Sequence, residues 1–296
     1  MIKPTPFAKG KKIGIVALAG PMKREDLLAG EKTLKNLGFD VLMAPSCFER
    51  DGYLAGTSDM DRAMDLMMLF ADDEVGAVLN MRGGYGSNRT VPYLKGFNFA
   101  RYPKPFIGYS DITYMHLYLN QVHGLITYHG PMLKDLTTGD ALTTSSFMDV
   151  GLQGESITMK QVPYYDRNLP TTTGTTVGGN LSIVCSTLGT PMEINTKGKV
   201  LFLEEVNEEP YQIDRLLMQL LYAGKLDVCS GIILGDFKGS DQVGIFDTIK
   251  KVLTPLEKPV AYGVPAGHTI PNVVIPLGAR CVLIPAEGRI EIGYQF

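Results

Sequence analysis

Ser110 occupies the position where a nucleophile would be expected in this chain. It follows a short apolar run, residues 106–108, and precedes a helical pattern that begins at Asp111. At such a corner the hydroxyl lies at the edge of a sheet, and the unpaired N–H groups of the helix N-terminus can stabilise an oxyanion. Serine is also a preferred helix N-cap residue. The local pattern therefore fits a nucleophile and a helix cap equally well.

A nucleophilic serine needs a general base, and the chain has four histidines. His116 lies within the helix that follows Ser110, and His123 ends that helix, where an imidazole often only complements the helix dipole. His129 follows a strand, and a lone histidine there is more often structural. His268 lies in an irregular segment, and such loops more often carry function. We therefore favour His268 as the base.

A carboxylate that orients the imidazole would complete a catalytic triad. The apolar run that begins at Lys199 ends in Glu204 and Glu205, and two carboxylates at the end of a buried strand are costly without partners or solvent. The alternative is the start of a solvated loop that continues into Glu208 and Glu209. The spacing alone selects neither acid and does not exclude the loop.

A glycine-rich corner, residues 81–87, also follows a predicted strand. Three glycines within four positions let the backbone turn sharply and present N–H groups to an anion. The alternatives are a plain flexible turn and a phosphate loop. A dinucleotide fingerprint is not met, because Arg89 stands where the last glycine of G-x-G-x-x-G belongs.

The elements that must position these residues alternate between apolar runs and amphipathic stretches, as in parallel sheets with crossover helices. We expect strands at residues 13–19, 39–44, 75–80, 106–108 and 125–129. We expect helices at residues 24–37, 59–71 and 111–122. The first half is therefore predicted to be a doubly wound, flavodoxin-like α/β domain, whose ligands gather beyond the carboxyl ends of its strands.

The second half is predicted to be a mixed, mostly β domain with a few helices. Strands are expected at residues 199–204 and 232–235, a helix at 211–223, and short apolar runs punctuated by proline and glycine from 259 onward. A Thr-rich stretch suggests a linker between about residues 160 and 175. We place the domains at residues 1–165 and 166–296, since 296 residues exceed most single cores.

Composition excludes several function classes. A formal net charge of −3 provides no basic face for nucleic acid or an anionic membrane, so we expect neither as a partner. Metal-ligand spacings such as H-E-x-x-H and C-x-x-C are absent from the sequence, and no metal or cofactor is expected. Residues 13–19 follow three lysines, as in a signal peptide, but the run is short and is better explained as a strand. We expect a cytoplasmic protein with reduced, buried cysteines.

Several motifs in order along the chain resemble the LD-carboxypeptidases of serine-peptidase type, which include muramoyl-tetrapeptide carboxypeptidases and microcin C self-immunity proteins. They are Arg82-Gly-Gly-Tyr-Gly86, Gly108-Tyr-Ser-Asp111, Gly130-Pro-Met132, Gly178-Gly-Asn-Leu181, Leu203-Glu-Glu205, Arg215-Leu-Leu-Met-Gln-Leu220 and Gly267-His268. By this resemblance the triad is Ser110, Glu204 and His268. The resemblance also implies an oxyanion hole formed by the backbone N–H groups of Gly84 and Asp111.

The resemblance implies a homodimeric, cytoplasmic enzyme that releases terminal D-alanine from a murein tetrapeptide at an L,D bond. Arg82 or Arg89 would bind the free carboxylate, although either arginine also suits a structural ion pair. One alternative is an amidase of the self-immunity type acting on aminoacyl nucleotides. The chain lacks tryptophan for stacking a base, leaving Tyr164 and Tyr165. Another is a non-catalytic two-domain protein that binds a small anion.

Overall fold

Strands and helices alternate through the first half of the computed structural model, which describes residues 1–294. The strands are β1 (Lys12–Val16), β2 (Asp40–Met43), β3 (Arg50–Asp51), β4 (Leu54–Ala55), β5 (Val75–Asn80), β6 (Phe106–Gly108) and β7 (Thr127–His129). The helices are α1 (Arg24–Asn36), α2 (Asp59–Ala71), α3 (Ser87–Thr90), α4 (Thr113–His123), α5 (Leu133–Leu136) and α6 (Ala141–Ser146).

The second half is richer in strands. They are β8 (Ile157–Met159), β9 (Thr172–Asn180), β10 (Val200–Val206), β11 (Gly231–Lys238), β12 (Val260–Ala261), β13 (Ile275–Leu277), β14 (Arg280–Ile284) and β15 (Arg289–Gly293). The helices are α7 (Leu181–Ser186), α8 (Pro210–Tyr222) and α9 (Gln242–Leu253). Both halves contribute to one large buried apolar cluster, and a second cluster lies under the last strands.

The first sheet has the strand order β2-β1-β5-β6-β7-β13. Its first five strands are parallel and follow the flavodoxin-like order, which confirms the predicted doubly wound fold. The sixth, β13, comes from the second half and pairs antiparallel with β7, with Ile275 opposite His129. Because β5 ends before the glycine corner and β6 ends before Ser110, both corners lie at the same edge of the sheet.

The second sheet has the order β12-β11-β10-β9-β14-β15-β8. Strands β9 to β12 are parallel to one another, whereas β14, β15 and β8 are antiparallel additions. This confirms the predicted mixed, mostly β second domain. Strand β10 is central and fully buried until its last residue, so Glu204 and Glu205 near its end lie in the interior.

Part of the Thr-rich stretch that we predicted to be a linker is a strand. Residues 172–176 belong to β9, which lies between β10 and β14 in the second sheet. Threonine is β-branched and suits a pleated strand, so its polarity misled the sequence-based interpretation. The predicted first strand also ended too late, because β1 stops at Val16. The domain boundary after residue 165 stays a prediction.

Ser58 should contribute measurably to stability through α2. Its hydroxyl accepts a hydrogen bond from the N–H of Asp61 at 3.1 Å, as an N-cap does. We expect Ser58→Ala to lower the free energy of unfolding by about 1 kcal/mol in urea denaturation. Ser145→Ala, an exposed change within α6, is the control and should have little effect. Equal effects of the two changes would contradict the capping role.

Candidate active site

Ser110, His268 and Glu204 form a continuous hydrogen-bonded series. The Nε2 atom of His268 lies 3.2 Å from Ser110 Oγ, and its Nδ1 atom lies 2.7 Å from Glu204 Oε2. Glu204 is fully buried, whereas the side chain of His268 is 20% exposed and therefore accessible from a cleft. This geometry matches a nucleophile, a base and a group that fixes the tautomer of the base.

The backbone at Ser110 is in the left-handed region, with φ of +63°. A non-glycine residue there typically costs about 1 kcal/mol or more and tends to mark functional sites. Ser110 begins a short 3-10 turn before α4, and no side chain caps either element. The alternative interpretation of Ser110 as a helix cap is therefore wrong. The turn instead directs its hydroxyl toward His268.

The structure separates the two adjacent glutamates. The pairing of β10 with β11 shifts register between Leu203 and Glu205, a bulge that turns Glu204 toward His268. Glu205 instead accepts hydrogen bonds from Asn180 Nδ2 and Ser182 N, each at 2.8 Å. Neither acid begins a solvated loop, because both are buried.

A glycine is required beside Glu204. Gly267 has φ of +113°, and a methyl group on it would lie 2.5 Å from Glu204 Oε2. The residue before His268 therefore has no side chain, which lets the loop approach the carboxylate closely. The same loop is closed by Asn272, whose side-chain oxygen accepts from the N–H of Gly267 at 2.9 Å.

The environments of the histidines distinguish His268 from the rest. Burial by itself lowers the pKa of His268, but the hydrogen bond and charge of Glu204 outweigh it and raise the pKa above 6.5. Burial lowers the pKa of His116 to about 4, and its Nε2 already contacts the carbonyl of Gly108 at 2.8 Å. His129 is fully buried as well, and burial lowers its pKa.

The glycine corner packs directly on Ser110. A methyl group on Gly83 would lie 2.9 Å from Ser110 Oγ, so only glycine leaves the hydroxyl free there. Gly84 has φ of +127° and lines a cavity of about 150 Å³ together with Ser110 and His268. Asp111 follows Ser110 immediately and lies in the same short 3-10 turn before α4. The oxyanion roles of the Gly84 and Asp111 N–H groups stay predictions.

The two predicted carboxylate-binding arginines lie in different places. Arg82 lines the small cavity beside Ser110 and donates to the carbonyl of Pro21 at 3.1 Å. Arg89 does not line this cavity, and its guanidinium is bound to both oxygens of Asp59. This geometry does not support Arg89 as a substrate-binding residue.

Sequence reasoning missed Lys134, which lines the same small cavity as Arg82. It follows β7 by five residues, so its place at the carboxyl edge of the sheet was a usable signal. A second cavity of about 750 Å³ adjoins the first and shares Tyr109, Asp135 and His268 with it. Its far side is formed by β10 and β11, so the cleft is lined by both halves of the chain.

No three His, Cys, Asp or Glu side chains among residues 1–294 are grouped as a metal site would require. None of the helices formed by this part of the chain has the length and apolar character needed to cross a bilayer. The four cysteines are buried and free.

Comparison with known proteins covers most of the chain. Residues 13–130 match the LD-carboxypeptidase N-terminal domain, and residues 173–283 match the LD-carboxypeptidase C-terminal domain. A probable murein peptide carboxypeptidase of Bacillus subtilis is 37% identical, with 96% of this chain and 92% of the relative covered. A murein tetrapeptide carboxypeptidase of Pseudomonas aeruginosa is 28% identical, with 92% of each chain covered.

Two solved structures have a fold similar to that of this chain. A muramoyltetrapeptide carboxypeptidase from Oxalobacter formigenes is 29% identical with a TM-score of 0.85, covering 97% of this chain and 100% of that one. A microcin C7 self immunity protein has a TM-score of 0.91 at 22% identity, covering 100% of this chain and 99% of that one. The second likeness bears on the fold alone.

The pKa of His268 provides a test of the site that needs no substrate. Glu204→Gln should lower this pKa, because a neutral amide no longer stabilises the protonated imidazole. Glu205→Gln is the matched control and should lower it less, since Glu205 is bonded to Asn180 and Ser182. NMR titration of isotope-labelled histidine measures the pKa of His268 in both variants, and His268→Ala identifies the resonance of His268. Equal decreases in the two variants would contradict the assignment of Glu204 as the partner.

Proposed function

The chain belongs to the LD-carboxypeptidase family, and we propose that it is a serine carboxypeptidase that releases terminal D-alanine from a murein tetrapeptide. The single observation that carries the proposal is the series from Ser110 through His268 to Glu204, open to a cleft of peptide size. The names of the murein carboxypeptidases among its relatives support the substrate. The reaction needs no cofactor.

In the proposed reaction, Ser110 Oγ attacks the carbonyl carbon of the L,D amide bond while His268 Nε2 accepts the hydroxyl proton. The tetrahedral oxyanion forms beside the glycine corner, where the N–H groups of Gly84 and Asp111 would stabilise it. His268 then delivers its proton to the departing amine of D-alanine. The C–N bond breaks and leaves an acyl-enzyme, which water hydrolyses with His268 again acting as base.

Glu204 has an electrostatic and an orienting role in this scheme. Its buried carboxylate fixes the Nδ1–H tautomer, so Nε2 is free to accept the proton of Ser110. The same carboxylate stabilises the imidazolium formed when the proton moves. It provides the counter-charge inside the protein, where water is excluded.

Recognition of the free terminal carboxylate falls to the basic residues beside Ser110. We propose Arg82 for this role, with Lys134 a further positive charge in the same small cavity. Arginine suits the task because its planar fork matches a carboxylate. The ion pair with Asp59 argues against Arg89, which was the other prediction.

The self-immunity type of amidase is the less supported alternative. The sequence has no tryptophan, and Tyr164 is buried with its hydroxyl bonded to the carbonyl of Arg289. Tyr165 packs against Tyr262 and Phe246, which leaves less of its ring available for stacking a base. We further propose a cytoplasmic homodimer, which the resemblance to the family supports.

Ser110→Ala should remove hydrolysis of murein tetrapeptide. If the three residues act as a unit, loss of the nucleophile lowers kcat by about six orders of magnitude. Release of D-alanine measures this, with an aminoacyl-nucleotide analogue assayed in parallel to test the alternative amidase. Full activity in the variant would refute the role of Ser110, and turnover of the nucleotide analogue alone would refute the murein substrate.

Arg82→Ala should raise KM for the tetrapeptide by about 10-fold to 100-fold, the usual effect of losing a hydrogen bond to a charged group. Arg82→Lys keeps a positive charge and should fall between this variant and the wild type. Arg89→Ala is the matched control and should change KM little, because Arg89 is paired with Asp59. A tetrapeptide with an amidated C-terminus should bind equally to the wild type and Arg82→Ala. A preserved difference would exclude Arg82 as the carboxylate ligand.

A further inference from the structure

The two corners of the active site are joined by a reciprocal pair of hydrogen bonds. The backbone N–H of Ser87 donates to Asp111 Oδ2 at 2.8 Å, and Ser87 Oγ donates to the backbone carbonyl of Asp111 at 2.7 Å. Ser87 ends the glycine corner, and Asp111 is the residue after the nucleophile. Each residue therefore uses both its backbone and its side chain to hold the other.

The pair lies in the interior rather than at the surface. Ser87 has no exposed area and Asp111 is 3% exposed. Burying a carboxylate is costly, and here its partner is the N–H of Ser87 in the glycine corner. The buried Asp111 carboxylate thus connects the turn that contains Ser110 to the glycine corner.

The hydrogen-bonded pair of Ser87 and Asp111 lies close to both proposed oxyanion donors. Ser87 is three residues after Gly84, and Asp111 carries the second oxyanion N–H itself. A shift of either corner would change the distance between the two N–H groups that face the developing negative charge. Such donors stabilise a transition state only when they are fixed in advance, and a misplacement of about 1 Å can cost about 100-fold in rate.

We propose that Ser87 and the Asp111 carboxylate form a brace that sets the spacing of the oxyanion donors Gly84 and Asp111. Both are positioning residues, since they act through the backbone N–H groups. The brace contributes to the transition state and leaves substrate binding largely unchanged. This inference rests on the function proposed above and assigns the Asp111 side chain a role separate from that of its backbone.

The test compares Ser87→Ala and Asp111→Asn with Thr90→Val. Thr90 is also fully buried and in α3, and its hydroxyl donates to the carbonyl of Ser87 at 2.7 Å rather than to Asp111. We expect each brace variant to lower kcat by about 10-fold to 100-fold with KM within about twofold. The double variant should be no slower than the slower single one, because the residues act as a unit. Thr90→Val should keep kcat near that of the wild type.

A second measurement separates this inference from the substrate. The rate at which a fluorophosphonate modifies Ser110 depends on the oxyanion donors and on no murein group, so it should fall in both brace variants. If the wild type is modified at Ser110 but hydrolyses no tetrapeptide, the proposed substrate is wrong, while slower modification of the variants still supports the brace. Unchanged modification rates, a rise in KM at constant kcat, or an equal loss in Thr90→Val would overturn it. Ser87→Ala is the milder change and decides the result if Asp111→Asn does not fold.

Discussion

The hydrogen bond between the buried Glu204 carboxylate and His268 is the interaction on which the rest of the site depends. A fully buried charge is unfavourable without a partner, so this pair fixes the loop of residues 263–272 against the end of β10. The imidazole is thereby held with its second nitrogen toward Ser110. The strained turn at Ser110 is useful only because that nitrogen is already in place.

The loop that carries His268 is also held by the first half of the chain. The N–H of Asn272 donates to Thr143 Oγ1 at 2.9 Å, and the N–H of Val274 donates to Ser146 Oγ at 2.8 Å, both hydroxyls lying on α6. The next residues form β13, which completes the first sheet beside β7. The hydrogen-bonded series of Ser110, His268 and Glu204 therefore joins both sheets, and the chain crosses between the sheets more than once.

Periodicity and position were enough to predict the parallel sheet and to place the glycine corner and Ser110 at its carboxyl edge. Strands β5 and β6 have the predicted bounds, because their buried runs are sharply limited by polar and glycine residues. The choice between Glu204 and Glu205 depends on a bulge that only pairing with β11 creates. The pairing of Arg89 with Asp59 could not be predicted for a similar reason, since tertiary contacts decide which charges meet. Threonine in β9 shows that composition alone mistakes a polar strand for a linker.

The crossing of the chain between sheets has a consequence for synthesis on the ribosome. His268 lies 158 residues after Ser110, and β13 follows His268, so a nascent chain can fold much of its first sheet before His268 is made. Until then β7 has no β13 to pair with, and Ser110 Oγ has no imidazole to contact. The first sheet and the hydrogen-bonded series of Ser110, His268 and Glu204 are therefore both completed by segments from the second half of the chain.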